Sequence, residues 1–210
     1  MKNPALLAIL AVIASSLFAA DDGWTTLFNG KDLNGWTNAS GSAPSADWVI
    51  EEGALVRKGK GGDIWTKERF GDFILEVEFR ATGNSGVFFR TDNPKDCVQT
   101  GIEIQVEKPG GPDKHSVGAL YDLVAPTKNA ARDDWNKMVI TARGSKITVE
   151  LNGEKVNEMD LDRWTTPEQN PDGSKNKFRT ALKDFKREGH IGLQDHGHVV
   201  AYRNVRVRKV

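Results

Sequence analysis

Near the end of the chain the run GHIGLQDHGH, residues 189–198, brings Gln194, Asp195, His196 and His198 close together. An imidazole titrates near neutral pH, so His196 beside a carboxylate is suited to moving a proton as general acid or base. Two further stretches carry groups of the same kind. GIEIQVE, residues 101–107, holds Glu103, Gln105 and Glu107, and SGVFFRT, residues 85–91, holds Arg90, whose guanidinium could steady a developing oxyanion. Gln105 and Gln194 are amides able to hydrogen-bond a hydroxyl-rich ligand. Trp65 and Trp164 are flat rings able to stack on one, and His115, Tyr121 and Asp122 in HSVGALYDL are further candidates for lining such a site.

These groups act together only if the backbone brings them to one face, and the dominant periodicity supplies a way. DFILEVEFR alternates Phe73, Leu75, Val77 and Phe79 against Ile74, Glu76, Glu78 and Arg80, the pattern of a strand with one face buried. SGVFFRT, GIEIQVE, NKMVITAR and KITVELNGEKV continue the pattern, and Asn152-Gly153 predicts a two-residue hairpin turn. Many short strands punctuated by Gly, Asn and Asp predict an all-β jelly-roll sandwich of two antiparallel sheets. With Ile102, Ile104 and Val106 inward, Glu103, Gln105 and Glu107 face the other side. By the same rule Phe88 and Arg90 point outward from Val87 and Phe89. His190, Gly192 and Gln194 do so from Ile191 and Leu193, with His196 following. One stretch breaks the rhythm: residues 162–188 are long for a connection and predict a lid or rim over one sheet, with a short helical turn in TALKDFKRE.

Composition narrows the function classes. Lys+Arg and Asp+Glu number 29 each in 210 residues, so no excess charge recruits a polyanion and nucleic acid is not expected as a partner. The N-terminus has one positive residue, an apolar run from Ala5 to Ile13 and then small residues, which is a secretory signal pattern too short for a good membrane span. Residues 1–20 are therefore read as a signal peptide cut near Ala19 or Ala20, and residues 21–210 as one exported domain, periplasmic or secreted, without membrane insertion. Cys97 is the one cysteine, so no internal disulfide forms, and its turn-rich surroundings predict a structural thiol rather than a nucleophile.

LFNGKDLNGW, NSGVFFR, GIEIQV, GALYDLVAP, Trp135-Asn136, LNGEKV and above all ALKDFKREGHIGLQDHGHVVAYRNVRV resemble, in order and across the whole mature chain, the 3-keto-disaccharide hydrolase domain family. The resemblance implies a concanavalin A-like jelly roll with a sugar site on a concave sheet. It also implies action on glycosides already oxidised to a ketone at C3, with a sugar 3-oxidoreductase as the functional partner that makes them. A ketone at C3 acidifies the C2 proton, so a base can form an enolate, the C1 oxygen can leave, and water can add back. On this reading His196, Glu103 and Arg90 are the catalytic set, and Gln105, Gln194, Asp195, Tyr121 and Trp65 contact the sugar. A divalent metal ion on His196, Glu103 and Asp195 is possible as a Lewis acid, although no compact ligand spacing occurs.

Two alternatives stand beside it. EIQVE resembles the E-x-D-x-E strand of glucanases on this fold, but Gln105 replaces the central aspartate. Glu103 and Glu107 would also lie about 13 Å apart, far beyond the ~5 Å of a retaining pair. The other alternative is a non-catalytic carbohydrate-binding module, which shares the fold and the polar face but has little need of an imidazole.

Overall fold

The computed structural model describes residues 23–210, so the expected signal segment lies outside the described residues. Six strands open the chain: β1 (Thr25–Thr26), β2 (Trp36–Asn38), β3 (Trp48–Glu51), β4 (Ala54–Arg57), β5 (Ile64–Thr66) and β6 (Phe73–Ala81). Seven follow: β7 (Ser85–Thr91), β8 (Ile102–Val106), β9 (Asn136–Arg143), β10 (Lys146–Leu151), β11 (Glu154–Asp160), β12 (His190–Leu193) and β13 (Val200–Lys209). A one-turn helix, α1 (Cys97–Thr100), lies between β7 and β8. The strands form two antiparallel sheets. The larger runs β11-β10-β9-β6-β13-β4-β3, with β1 added on β13, and the smaller runs β2-β5-β12-β7-β8.

The alternation legible in the sequence builds the core. Phe73, Leu75, Val77 and Phe79 of β6 are wholly buried, as are Val87 and Phe89 of β7 and Ile104 and Val106 of β8 on the opposing sheet. Each such side chain contributes on the order of 2 kcal/mol through removal from water. Phe73 and Phe89 meet edge to face, ring centres 5.8 Å apart, across the two layers. The Asn152-Gly153 hairpin forms as expected, with Leu151 paired to Glu154 and both turn residues at positive φ, +54° and +86°.

Two features depart from the sequence reading. The smaller sheet does not leave its outer face open: every residue of β7 and β8 is buried. α1 packs against both strands, while residues 118–121 hydrogen-bond along the free edge of β8 through Gly118 N–H to Gln105 O and Tyr121 N–H to Glu103 O. The segment 162–188 is a packed plug rather than a loose lid. Trp164, Phe178, Leu182 and Phe185 join the core, and Asn170 accepts hydrogen bonds from the Trp164 indole (2.9 Å) and Asn176 (3.1 Å). Its short helical turn is a 3-10 turn at Leu182–Asp184.

Arg90 is the clearest correction to the alternation. Between the pairs His190–Thr91 and Gly192–Phe88, β12 advances two residues while β7 advances three. The extra residue is a β-bulge, with Arg90 at φ +51°, and a bulge re-aims the side chain that simple alternation would send outward. Arg90 instead donates to Gly71 O (2.9 Å), Gly144 O (2.6 Å) and Asp72 Oδ1 (2.8 Å), and is 1% exposed. Gly71 and Asp72 precede β6 and Gly144 lies in the β9–β10 turn, so this guanidinium ties the small sheet to the end of the large one. Replacing it leaves the Gly71 and Gly144 carbonyls without their donor, while Asp72, 43% exposed, still accepts the Gly144 N–H. Arg90→Met is expected to lower the unfolding free energy by about 2 kcal/mol in urea titration. An unchanged urea midpoint with lost activity would return Arg90 to a catalytic role.

Candidate active site

The register of the small sheet arranges its outer face in two rows. Phe88 pairs with Glu103 and with Gly192, and Gly192 pairs with Trp65, giving the row Glu103–Phe88–Gly192–Trp65. Gly86 pairs with Gln105, Gln194 N–H donates to Gly86 O (3.0 Å), and Asp195 N–H donates to Asp63 Oδ1 (2.8 Å), giving Gln105–Gly86–Gln194 with Asp63 at its end. The glycines are there because something lies on them. A Cβ on Gly86 would collide with Glu103 Oε1, and one on Gly192 would collide with the six-membered ring of Trp65. Glu103 therefore leans across Gly86 toward the amide row, while Trp65 lies over Gly192 and tilts against Phe88, centroids 5.5 Å apart.

The side-chain cluster so formed is buried and under-satisfied. Glu103 is 5% exposed, and its carboxyl is hydrogen-bonded by the Gln194 side chain. Gln105 donates to Asn84 Oδ1 (2.9 Å) and Ser85 O (3.2 Å). The side-chain oxygens of Gln105 and Gln194 and the indole nitrogen of Trp65 have no hydrogen-bond partner. Buried polar atoms left unpaired are uncommon in folded proteins, and these three belong to residues of the two rows. Trp65 itself is fully buried, so it packs over Gly192 and is not an open stacking platform.

Electrostatics single out Glu103. Burial, and after it the charge of Asp63, pushes its carboxyl up to about 8, against smaller downward pulls from Lys177 and Gln194. Asp63 is also raised, first by burial, and the charge of Asp195 adds to this. Lowering it are the Asp195 N–H, the Cys97 thiol, whose Sγ lies 3.8 Å from Asp63 Oδ2, and the charge of His196. Burial, then Asp63 and Glu103, push the Cys97 thiol up to about 12, so it acts as a donor and not as a nucleophile.

The other expected residues divide. Asp195 is a loop anchor: its carboxylate pairs with Arg57 and accepts from Gly62 N–H (2.9 Å) and Gly197 N–H (3.1 Å). His196 follows it on the exposed rim, within electrostatic reach of Asp63. Tyr121 is half-buried, bonded through its N–H to Glu103 O (3.0 Å), and its hydroxyl accepts from Lys177 Nζ (2.8 Å). His115 and Asp122 flank it, with the His115 ring 5.1 Å from Tyr121 and 3.6 Å from the Asp122 carboxylate. Trp164 belongs to the plug and Arg90 to the bulge, so neither joins Glu103. Among the described residues no three His, Cys, Asp or Glu side chains are arranged to hold a metal ion, and Asp195 of the expected donor set is spent on Arg57.

Asp63, Arg57 and Lys177 were not singled out by the sequence. Asp63 had a usable signal, since it stands two residues before Trp65 and so shares its face. Arg57 and Lys177 had none, because one comes from the other sheet and the other from the irregular plug.

Comparison with known proteins finds relatives of the chain with sugar-processing names. The model of a family described as 3-keto-alpha-glucoside-1,2-lyase-like domain matches residues 23–208. A Bacteroides thetaiotaomicron protein named 3-keto-disaccharide hydrolase is 29% identical over 227 aligned positions, covering 89% of this chain and 78% of that one. A crystal structure from Parabacteroides distasonis ATCC 8503, provisionally described as a glycosyl hydrolase, is 31% identical with a TM-score of 0.78, covering 89% of this chain and 99% of that one. A Bacillus subtilis protein of unknown function with a galectin-like fold, 12% identical at a TM-score of 0.51 and covering 89% and 94% of the two chains, shares the fold alone.

The buried acid has a measurable signature. Glu103 binds its proton more tightly folded (about 8) than unfolded (4.5), so its stabilising contribution is complete below about 4.5 and is lost as pH rises through about 8. Urea titrations of the protein and of Glu103→Gln across that window should diverge by up to about 1.4 kcal/mol per pH unit, the variant losing less stability as pH rises. Parallel curves would mean that Glu103 titrates normally.

Proposed function

The chain belongs to the 3-keto-alpha-glucoside-1,2-lyase-like domain family, and from this premise we propose that it cleaves glycosidic bonds in disaccharides carrying a ketone at C3. The observation that carries the reading is Glu103, a carboxyl buried beside unpaired amide oxygens and protonated up to about pH 8. Such a group is a proton donor at neutral pH.

Loss of the glycosidic oxygen from C1 needs that donor. His196, on the exposed rim, is the base that removes the proton from C2, leaving an enolate with its negative charge on the C3 oxygen. The C1–oxygen bond then breaks as Glu103 protonates the departing oxygen. Water adds back across the resulting double bond, its hydroxyl to C1 and its proton to C2, for net hydrolysis. The unpaired oxygens of Gln105 and Gln194 accept hydrogen bonds from sugar hydroxyls. Lys177, whose charge does act on Glu103, is the cation available to balance the enolate in place of Arg90.

The alternatives fit less well. A retaining glycosidase needs an ionised carboxylate as nucleophile, which Glu103 is not below about pH 8. A binding module gains nothing from a buried acid, whose desolvation only costs stability. The ketone must be installed before cleavage, so a sugar 3-oxidoreductase is the functional partner. On the reading of residues 1–20 as a secretory signal, cleavage takes place after export, in the periplasm or outside the cell.

The test is turnover of a 3-keto-disaccharide beside its parent sugar. Cleavage of the keto sugar alone is expected, with His196→Ala lowering kcat/KM by about 100-fold or more while sugar binding persists. Cleavage of the parent at the same rate, or full activity in the variant, would overturn the reading. In the unmodified protein kcat/KM should fall as pH rises past about 8, because the donor proton is then lost. Glu103→Gln should lose this alkaline limb along with most of the rate.

A further inference from the structure

The row Glu103–Phe88–Gly192–Trp65 does not end at β8. Residues 118–121 run along the free edge of that strand, where Gln105 N–H donates to Ala119 O (2.9 Å) and Tyr121 N–H to Glu103 O (3.0 Å), on either side of the antiparallel bridge Ile104–Leu120. Counting out from the bridge sets Tyr121 opposite Glu103. Side chains of opposite residues emerge on the same face with Cβ atoms about 5 Å apart. Tyr121 therefore extends the row, and its ring stands beside the Glu103 side chain.

The Tyr121 hydroxyl is arranged as a donor. Lys177 Nζ donates to it at 2.8 Å and lies 4.1 Å from the ring centre. An ammonium group has no lone pair, so the phenolic proton needs some other acceptor, and among the described residues none takes it. An O–H whose oxygen already receives a charged hydrogen bond is a stronger donor. Lys177 has an exposed side chain, yet its backbone is fixed at both polar atoms. Its N–H donates to Asp122 Oδ2 (3.0 Å), and its carbonyl accepts from Gln99 Nε2 of α1 (2.9 Å). Phenol and ammonium are thus held together at the half-buried end of the face that Glu103 occupies.

We infer that Tyr121 is a second catalytic donor: its hydroxyl, polarised by Lys177, hydrogen-bonds the C3 ketone oxygen and steadies the enolate charge there. The inference rests on the reading of the protein as an enzyme that cleaves 3-keto-glycosides, and it gives Lys177 its route to the enolate. When the base takes the C2 proton, the C2–H pair becomes the C2–C3 double bond and the carbonyl pair moves onto the C3 oxygen. The Tyr121 hydrogen bond strengthens at that moment without giving up its proton. The ketone then re-forms, the C2–C3 pair becomes the C1–C2 double bond, and the C1–oxygen bond breaks as its oxygen takes the Glu103 proton. The two oxygens that need donors stand on alternate carbons of one ring, and Tyr121 and Glu103 are neighbours on one face.

The test is Tyr121→Phe, which keeps the ring and removes only the hydroxyl. Two reactions are followed: cleavage of a 3-keto-disaccharide, and deuterium exchange at C2 of a 3-keto sugar with no exocyclic oxygen on C1, which can enolise without cleavage. The expected result is a fall of about 100-fold in both kcat and the exchange rate, with KM and the urea midpoint unchanged. A raised KM at unchanged kcat would make Tyr121 a binding contact only and overturn the inference, as would parental rates in both reactions. Should Tyr121→Phe be less stable than the parent, Lys177→Met decides, because that side chain is exposed. Its kcat should fall about tenfold at unchanged KM, and an unchanged kcat would overturn the inference. An unmodified protein that neither cleaves nor exchanges keto sugars sinks the functional reading and the inference with it. An active parent beside an equally active Tyr121→Phe sinks the inference alone.

Discussion

The constraint on which the site depends is the burial of one carboxyl group with no cation in contact with it. Glu103 can reach its position only because Gly86 has no side chain, and it stays there because Gln194 bonds to it and Tyr121 fastens the backbone of the same residue. An ionised carboxylate in such a place would be expensive, so the group keeps its proton instead. The chemistry available to the pocket follows from that single choice of protonation state.

Holding the choice requires support from both sheets. Asp195, in the return loop after β12, is pinned by Arg57 from β4 of the large sheet, and its own N–H in turn pins Asp63. The same loop continues into His196. The ion pair Arg57–Asp195 is therefore less a source of stability, which buried pairs seldom are, than a fixture that sets where Asp63 and His196 stand. Arg90 performs a similar service at another place, binding the small sheet to the start of β6 and to the β9–β10 turn. Arg90, expected on grounds of type alone to serve the reaction, thus serves the frame, as Arg57 does.

What the sequence made legible was whatever depends on local periodicity. Period-two alternation assigned the inward residues of β6, β7 and β8, and Asn152-Gly153 marked its hairpin, because these depend on sterics within a few residues. Alternation also put Glu103, Gln105, Gly192 and Gln194 on one face. It failed at Arg90, since a bulge is set by the pairing of β7 with β12, a hundred residues apart in effect and invisible in SGVFFRT. The roof over the small sheet was equally illegible. Neither α1 nor the 118–121 edge follows from composition; each is held by long-range contacts, such as Gln99 to Lys177 O and Tyr121 to Glu103 O. Asp63 escaped notice for a smaller reason: it precedes β5 by one residue, where an alternation counted only within the strand does not reach.

The roof changes what the polar face can do. An open sheet lined by Glu, Gln and His would leave each group solvated and near its ordinary ionisation, which suits recognition of hydroxyls but gives no stored acid. Covering that face removes water from Glu103 before any ligand arrives, so in the proposed reaction the proton would be in place at the start and no reorganisation would be needed when the leaving oxygen departs. The unpaired oxygens of Gln105 and Gln194 are the counterpart of this arrangement. They are desolvated in advance, and a sugar hydroxyl that reaches them gains a bond without displacing a competing one. Pre-desolvation of both the acid and the acceptors costs folding stability, and the wholly buried aliphatic and aromatic layer between the two sheets is what allows the fold to carry it.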